Sequence, residues 1–117
     1  MAQAVIIDDV DVSRYAISLI LDEMEVTYNE CRSNEEARKC LQSENPKVVF
    51  LDWHLRKESG LDLINEIKDL TNAKIYVISG VEGQDKSSQV TKAGADGFLV
   101  KPVDKESIQK CLSDAGC

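Results

Sequence analysis

Short apolar runs alternate with amphipathic segments along the whole chain, and this rhythm is the strongest constraint on its fold. Four of the runs stop abruptly at polar groups. Val5-Ile6-Ile7 meets Asp8-Asp9, and Val48-Val49-Phe50-Leu51 meets Asp52. Ile75-Tyr76-Val77-Ile78 meets Ser79-Gly80, and Phe98-Leu99-Val100 meets Lys101-Pro102. Nearly continuous apolar runs are expected of strands whose two faces are both covered by helices. Strand-helix alternation with right-handed crossovers then gives an α/β fold, a three-layer sandwich around a parallel sheet. The strand ends share one edge of such a sheet, and open α/β sheets hold ligands at that edge. Three carboxylates, a hydroxyl and an ammonium are expected to meet there. That set fits a divalent metal and a phosphoryl group on Asp52.

Five strand-helix units are legible. Residues 4–7 read as the first strand and 13–24 as the first helix, where Ile17, Ile20, Leu21 and Met24 form one apolar stripe. Tyr15 and Leu19 form a second pair beside it, so this helix is expected to be well covered by its neighbours. Residues 26–31 are a weaker strand. Ser33 opens the second helix, to about Ser43, as a capping box in which its hydroxyl bonds the Glu36 amide and Glu36 reaches back. Pro46 precedes the strand that ends at Asp52. Residues 61–70 place Leu61, Ile64, Ile67 and Leu70 on one helical face, with Leu63 beside them. A strand over 74–79 follows. Residues 84–93 are polar and make the least convincing helix. A turn at 94–97 leads to the last strand, and Asp104 is placed to cap a final helix from Lys105 to about Ser113.

The chain has 117 residues, 43% hydrophobic and 30% charged, which suits one globular domain over residues 1–117 with one real core. Its formal net charge of −7 argues against general nucleic-acid binding, which needs a basic face. The cysteines at 31, 40, 111 and 117 contain no C-x-x-C pair, and the single histidine, His54, is far from them in sequence, which argues against structural zinc. No run approaches the roughly 20 apolar residues of a membrane-spanning helix, and the first apolar run reads as a strand rather than a leader. A cytoplasmic protein with reduced thiols and no membrane attachment is expected.

In order and spacing these landmarks resemble the receiver domain of two-component response regulators, across essentially the whole chain. The acidic pair Asp8-Asp9 follows the first strand, Asp52 ends the third, and Gly60 lies eight residues beyond it. Ser79-Gly80 ends the fourth strand and Lys101-Pro102 the fifth, with Phe98 three residues before the lysine. The resemblance implies a flavodoxin-like fold with strand order 2-1-3-4-5. It also implies a stand-alone, single-domain receiver, because the sequence ends with its fifth helix. There are departures. Leu55-Arg56 stands where the family usually has Met-Pro, His54 follows the phosphoacceptor by two residues, and Phe98 replaces the commoner tyrosine.

The implied chemistry starts with attack of the Asp52 carboxylate on phosphorus. Mg²⁺, or Mn²⁺ in its place, would offset the repulsion between attacking anion and donor. The expected ligands are Asp9 and Asp52 directly, Asp8 directly or through water, and the His54 backbone carbonyl. Lys101 is expected to pair with Asp52, and later with the phosphoryl group. Three close acids without a cation should leave at least one with a raised pKa. Ser79 would then bond the phosphoryl group and Phe98 turn inward, switching protein binding through the face formed by the fourth helix, fifth strand and fifth helix. Ser13, Arg14, Ile17 and Pro102 are the expected docking residues for a histidine kinase or histidine phosphotransfer protein. A further, unidentified downstream protein is implied, with the chain a monomer or a phosphorylation-linked homodimer.

Taken singly, each feature has a plainer explanation. Asp-Asp after a strand is often a helix cap, Ser-Gly a turn, and Lys-Pro a solvated strand end. The His54 imidazole reads as a solvent-facing bystander, and Trp53 as a packing residue at the site's edge. The competing functions are a phosphorylation-independent pseudo-receiver adaptor and a Mg²⁺-dependent phosphohydrolase with an Asp nucleophile. The second usually needs a substrate cap, for which this chain has no room. A flavin carrier lacks its phosphate loop here. The protein is not expected to be an enzyme beyond catalysing its own phosphorylation and dephosphorylation.

Overall fold

A computed structural model describes residues 2–53, 60–80 and 87–117. Five strands, β1 (Ala4–Ile7), β2 (Tyr28–Cys31), β3 (Val48–Asp52), β4 (Lys74–Ser79) and β5 (Gly97–Val100), form one sheet in the order β2-β1-β3-β4-β5. All pairings are parallel. The helices are α1 (Asp11–Glu23), α2 (Asn34–Ser43), α3 (Gly60–Leu70), α4 (Ser87–Ala93) and α5 (Lys105–Asp114). This is the expected flavodoxin-like sandwich.

Alternation along each strand builds two cores. Val5, Ile7, Val49, Leu51, Ile75 and Val77 pack with Ala37 and Leu41 of α2, Leu63, Ile64 and Ile67 of α3, and Val90 of α4. On the other face, Ala4, Ile6, Val48, Phe50, Tyr76 and Ile78 pack with Ile17 and Leu21 of α1 and Ile108, Cys111 and Leu112 of α5. Thus α1 and α5 cover one face and α2, α3 and α4 the other. No described helix is long and apolar enough to cross a membrane.

The helix starts follow local chemistry. Ser33 Oγ accepts from the Glu36 amide at 3.1 Å, but Glu36 Oε1 accepts from the Arg32 amide at 3.1 Å. The acid therefore reaches one residue beyond the predicted box. Asp104 caps α5 by accepting from the Ser107 amide at 2.8 Å, and this bond holds its carboxyl below the usual aspartate range.

Two expectations about α1 are corrected. It starts at Asp11, earlier than Ser13, because Asp8 Oδ1 accepts from the Val10 amide at 2.8 Å and the Val10 carbonyl accepts from the Arg14 amide. It is also not well covered: Tyr15 is 61% exposed, Leu19 48% and Val12 80%. The stripe through Ile17 and Leu21 faces the sheet, and Tyr15 and Leu19 lie about half a turn away from Ile17, on the outer side. In α3, Leu63 is buried with Ile64 and Ile67, whereas Leu70 in the last turn is exposed.

Candidate functional site

Register brings the predicted groups together. Ile7 pairs with Leu51, so Asp8 and Asp52 leave neighbouring strands at the same level. Asp52 pairs with Ile78, and the Trp53 amide donates to the Ile78 carbonyl at 2.8 Å. Ser79 pairs with Val100, and the Lys101 amide donates to the Ser79 carbonyl at 2.7 Å. Four strand ends are thus joined by backbone bonds, and the chemistry is carried by the last residues of β3 and β4 and by the residues just after β1 and β5.

Carboxylate oxygens of Asp8, Asp9 and Asp52 all lie within 4.8 Å of one another. Asp8 and Asp52 are each 1% exposed, whereas Asp9 is on the surface. Lys101 Nζ stands 2.8 Å from Asp52 Oδ1 in an ion pair. Ser79 is buried at the end of β4. Phe98 pairs with Val77 and is half-buried against the α2-α3-α4 core, and Trp53 packs partly buried against the same core. His54, Leu55 and Arg56 lie outside the described residues, so the expected carbonyl ligand does too.

Burial pushes the Asp8 carboxyl above the usual aspartate value. Bonds from Ser13 and Val10 oppose the shift, the Asp52 charge adds to it, and the Lys101 charge reduces it. Repulsion among the acids predicts a raised carboxyl here; the direction agrees, but burial leads and the Asp52 charge adds less. Asp8 Oδ2 is buried and has no hydrogen-bond partner among the described residues. A buried oxygen in that condition is costly. A hard divalent cation, which takes oxygen ligands and tolerates two carboxylates plus waters, fits the arrangement.

The predicted docking residues separate. Ser13 and Pro102 line a groove of ≈ 450 Å³ between α1 and the chain after β5, with Val10, Val12, Ala16 and Val103. Ile17 is only 2% exposed, at the groove's floor, and Arg14 is 6% exposed. Neither offers the surface a docking residue needs. Arg14 is instead engaged internally: its Nη1 donates to the Asp8 carbonyl at 2.9 Å, its Nη2 pairs with Asp11 Oδ1, and its Nε pairs with Glu30 Oε1 at 3.2 Å. Sequence reasoning missed this role. The spacing from Asp11 to Arg14 signals the first pair, but Glu30 comes close only because β2 lies beside β1.

Residues 4–113 match the family model of the response regulator receiver domain. The chain belongs to that family. It is 28% identical over 113 residues to a chemotaxis protein CheY of Halobacterium salinarum, covering 96% of this chain and 94% of the relative. It is 30% identical over 114 residues to a chemotaxis protein CheY of Thermotoga maritima, covering 95% and 94%. Against response regulator PilR of Pseudomonas aeruginosa, identity is 31%, but this chain spans 26% of that protein. A crystal structure of a Burkholderia pseudomallei response regulator with a phosphorylated aspartic acid, calcium ion and citrate superposes with a TM-score of 0.86 at 30% identity. It covers 99% of this chain and 69% of that one. This receiver domain is therefore a signalling module of two-component systems, with an acidic cluster suited to a divalent metal and an implied histidine kinase or phosphotransfer partner.

Proposed function

We propose that this receiver domain takes a phosphoryl group from a phosphohistidine protein onto Asp52, with Mg²⁺ held by Asp9 and Asp52 and by Asp8 directly or through water. Mn²⁺ would serve in its place. The observation that carries this reading is the convergence of three carboxylates within 4.8 Å, with Lys101 Nζ 2.8 Å from Asp52. Mg²⁺ would supply charge neutralisation for the attacking carboxylate and the incoming phosphoryl oxygens. Asp52 is the nucleophile. Lys101 pairs with it beforehand and holds a phosphoryl oxygen afterwards, and Ser79, on the adjacent strand end, bonds another.

The product adds roughly −1.5 to −2 charges at the edge of the sheet. In this reading Ser79 moves toward the phosphoryl group and Phe98 turns inward, altering the face of α4, β5 and α5 that meets the downstream protein. The phosphodonor docks beside the site, at the groove lined by Ser13 and Pro102, with Val12 and Tyr15 of α1 available at its margin. Arg14 and Ile17 act from within. The receiver domain spans residues 1–117 and works in the cytoplasm, without turnover of an external substrate. It is a monomer or a phosphorylation-linked homodimer.

The test is intact-protein mass after incubation with a small phosphodonor and Mg²⁺. The expected result is one added phosphoryl group in the parent, none in Asp52→Asn, and none when metal is withheld. Ser79→Ala should still gain the group but show a weaker change at β5. Mg²⁺ binding without phosphoryl uptake from any donor, including phosphohistidine proteins, would instead favour the pseudo-receiver adaptor.

A further inference from the structure

We propose that Arg14 is a positioning residue that presets the Asp8 carboxylate for a divalent cation. The proposal rests on reading the acidic cluster as a cation site, and adds a residue from outside that cluster to its machinery.

Asp8 is held from four directions, one of them a bond from Ser13 to its carboxyl group. Its amide donates to the Cys31 carbonyl of β2 at 3.0 Å. Its carbonyl accepts from Arg14 Nη1 at 2.9 Å. Its Oδ1 accepts from the Val10 amide at 2.8 Å. What remains is Oδ2, buried and without a hydrogen-bond partner among the described residues. The backbone and one oxygen are fixed, and the other oxygen is left for a ligand.

Arg14 is itself braced. The planar guanidinium directs donors along fixed lines, which a lysine ammonium does not. Here those lines end on the Asp8 carbonyl, Asp11 and Glu30. The loop after β1, the first turn of α1 and strand β2 are therefore tied through one buried side chain. Asp11 and Glu30 lie outside the three-carboxylate cluster, and they compensate a charge that would otherwise be costly to bury. The Asp11 carboxyl is held below its usual range by this contact.

Position matters because Mg²⁺ demands near-ideal octahedral geometry and gives up water reluctantly. Groups that orient metal ligands from behind typically change affinity by about 10–100-fold when removed. Arg14 bonds the backbone of Asp8 rather than its carboxylate, so the lower end, about tenfold, is expected.

Charge and position predict opposite signs, which separates them. Removing a cation near an acidic cluster should by charge alone tighten Mg²⁺ binding. Loss of positioning should weaken it. The experiment is a Mg²⁺ titration followed by Trp53 fluorescence on the parent, Arg14→Lys and Arg14→Gln, with metal-free thermal melts on the same samples. The expected result is about tenfold weaker binding by Arg14→Lys at unchanged net charge, and weaker binding by Arg14→Gln despite its lost cation. Parent-like affinity in Arg14→Lys with a lowered melting temperature would make the residue a purely structural tie and overturn the proposal. Tighter binding by Arg14→Gln would also overturn it. In the parent, the Arg14 Nε proton should already be protected from solvent exchange before metal is added. Fast exchange there would overturn the presetting independently of whether either variant folds. A parent that binds no Mg²⁺ at all would overturn the cation-site reading itself, and this inference with it.

Discussion

Strands β1 and β3 and the pair β5 with α4 belong to one sheet sandwich but are built differently. Every residue of β1 and β3 is buried, down to Asp52. All four residues of β5 are only half-buried, and in α4 only Val90 is fully buried among the described side chains. The centre therefore has the packing to hold three carboxylates together against their repulsion. The edge has little buried apolar area at stake, so rearranging it is cheap. In the proposed function, holding a cation in fixed geometry and changing the surface fall to different strands.

Three substitutions can break or sharpen this contrast. Phe50→Ala removes the largest fully buried side chain of the centre. It should cost about 3–5 kcal/mol in urea unfolding. A loss below about 1 kcal/mol would show that the centre relaxes easily and would remove the contrast.

Asp8→Asn tests the acidic half by linkage. Folded Asp8 holds its proton more tightly than its ordinary value of 3.8, because burial disfavours the charge. Between that value and the raised one the folded chain binds more protons than the unfolded chain. The metal-free parent should therefore be most stable below pH 3.8 as far as this group is concerned, losing that stability as pH rises through the window. Mg²⁺ at a hundred times its Kd should restore about 2.7 kcal/mol to the parent at neutral pH. Asp8→Asn should flatten this pH dependence and lose most of the metal-linked gain. Thermal melts across pH, with and without Mg²⁺, check both; an unchanged Mg²⁺ shift would remove Asp8 from the site.

Val90→Ala should have the smallest effect, about 1–2 kcal/mol. Its signature is locality: amide exchange should speed up in α4 and β5 while β1 and β3 stay protected. Equal acceleration in β1 would mean that edge and centre open as one unit.

Much of the site could be seen in one dimension. Each apolar run stops where its strand stops, so Asp8, Asp52, Ser79 and Lys101 were placed by the periodicity that placed the strands. Helix caps were also legible, since Ser33 and Asp104 act on amides three residues ahead. Arg14 was not. A charged residue on an amphipathic helix usually faces water, and it was expected at a docking surface. It is buried because β2 sits beside β1 and brings Glu30 within 3.2 Å of a side chain sixteen residues earlier. The pair Tyr15 and Leu19, expected to be covered, is exposed for a related reason. Periodicity reports that a helix has an apolar face, but not which of two faces the sheet covers.

The sequence by itself determined the strand and helix types, their order, and which chemical groups stand at the strand ends, because these depend on side-chain period and local capping. Only the tertiary structure decided that Asp8 is buried with a raised carboxyl pKa, that Asp9 stays on the surface, and that Arg14 is turned inward. Those outcomes depend on which strands become neighbours and how much water each group loses, and both are set by contacts between residues far apart in the chain.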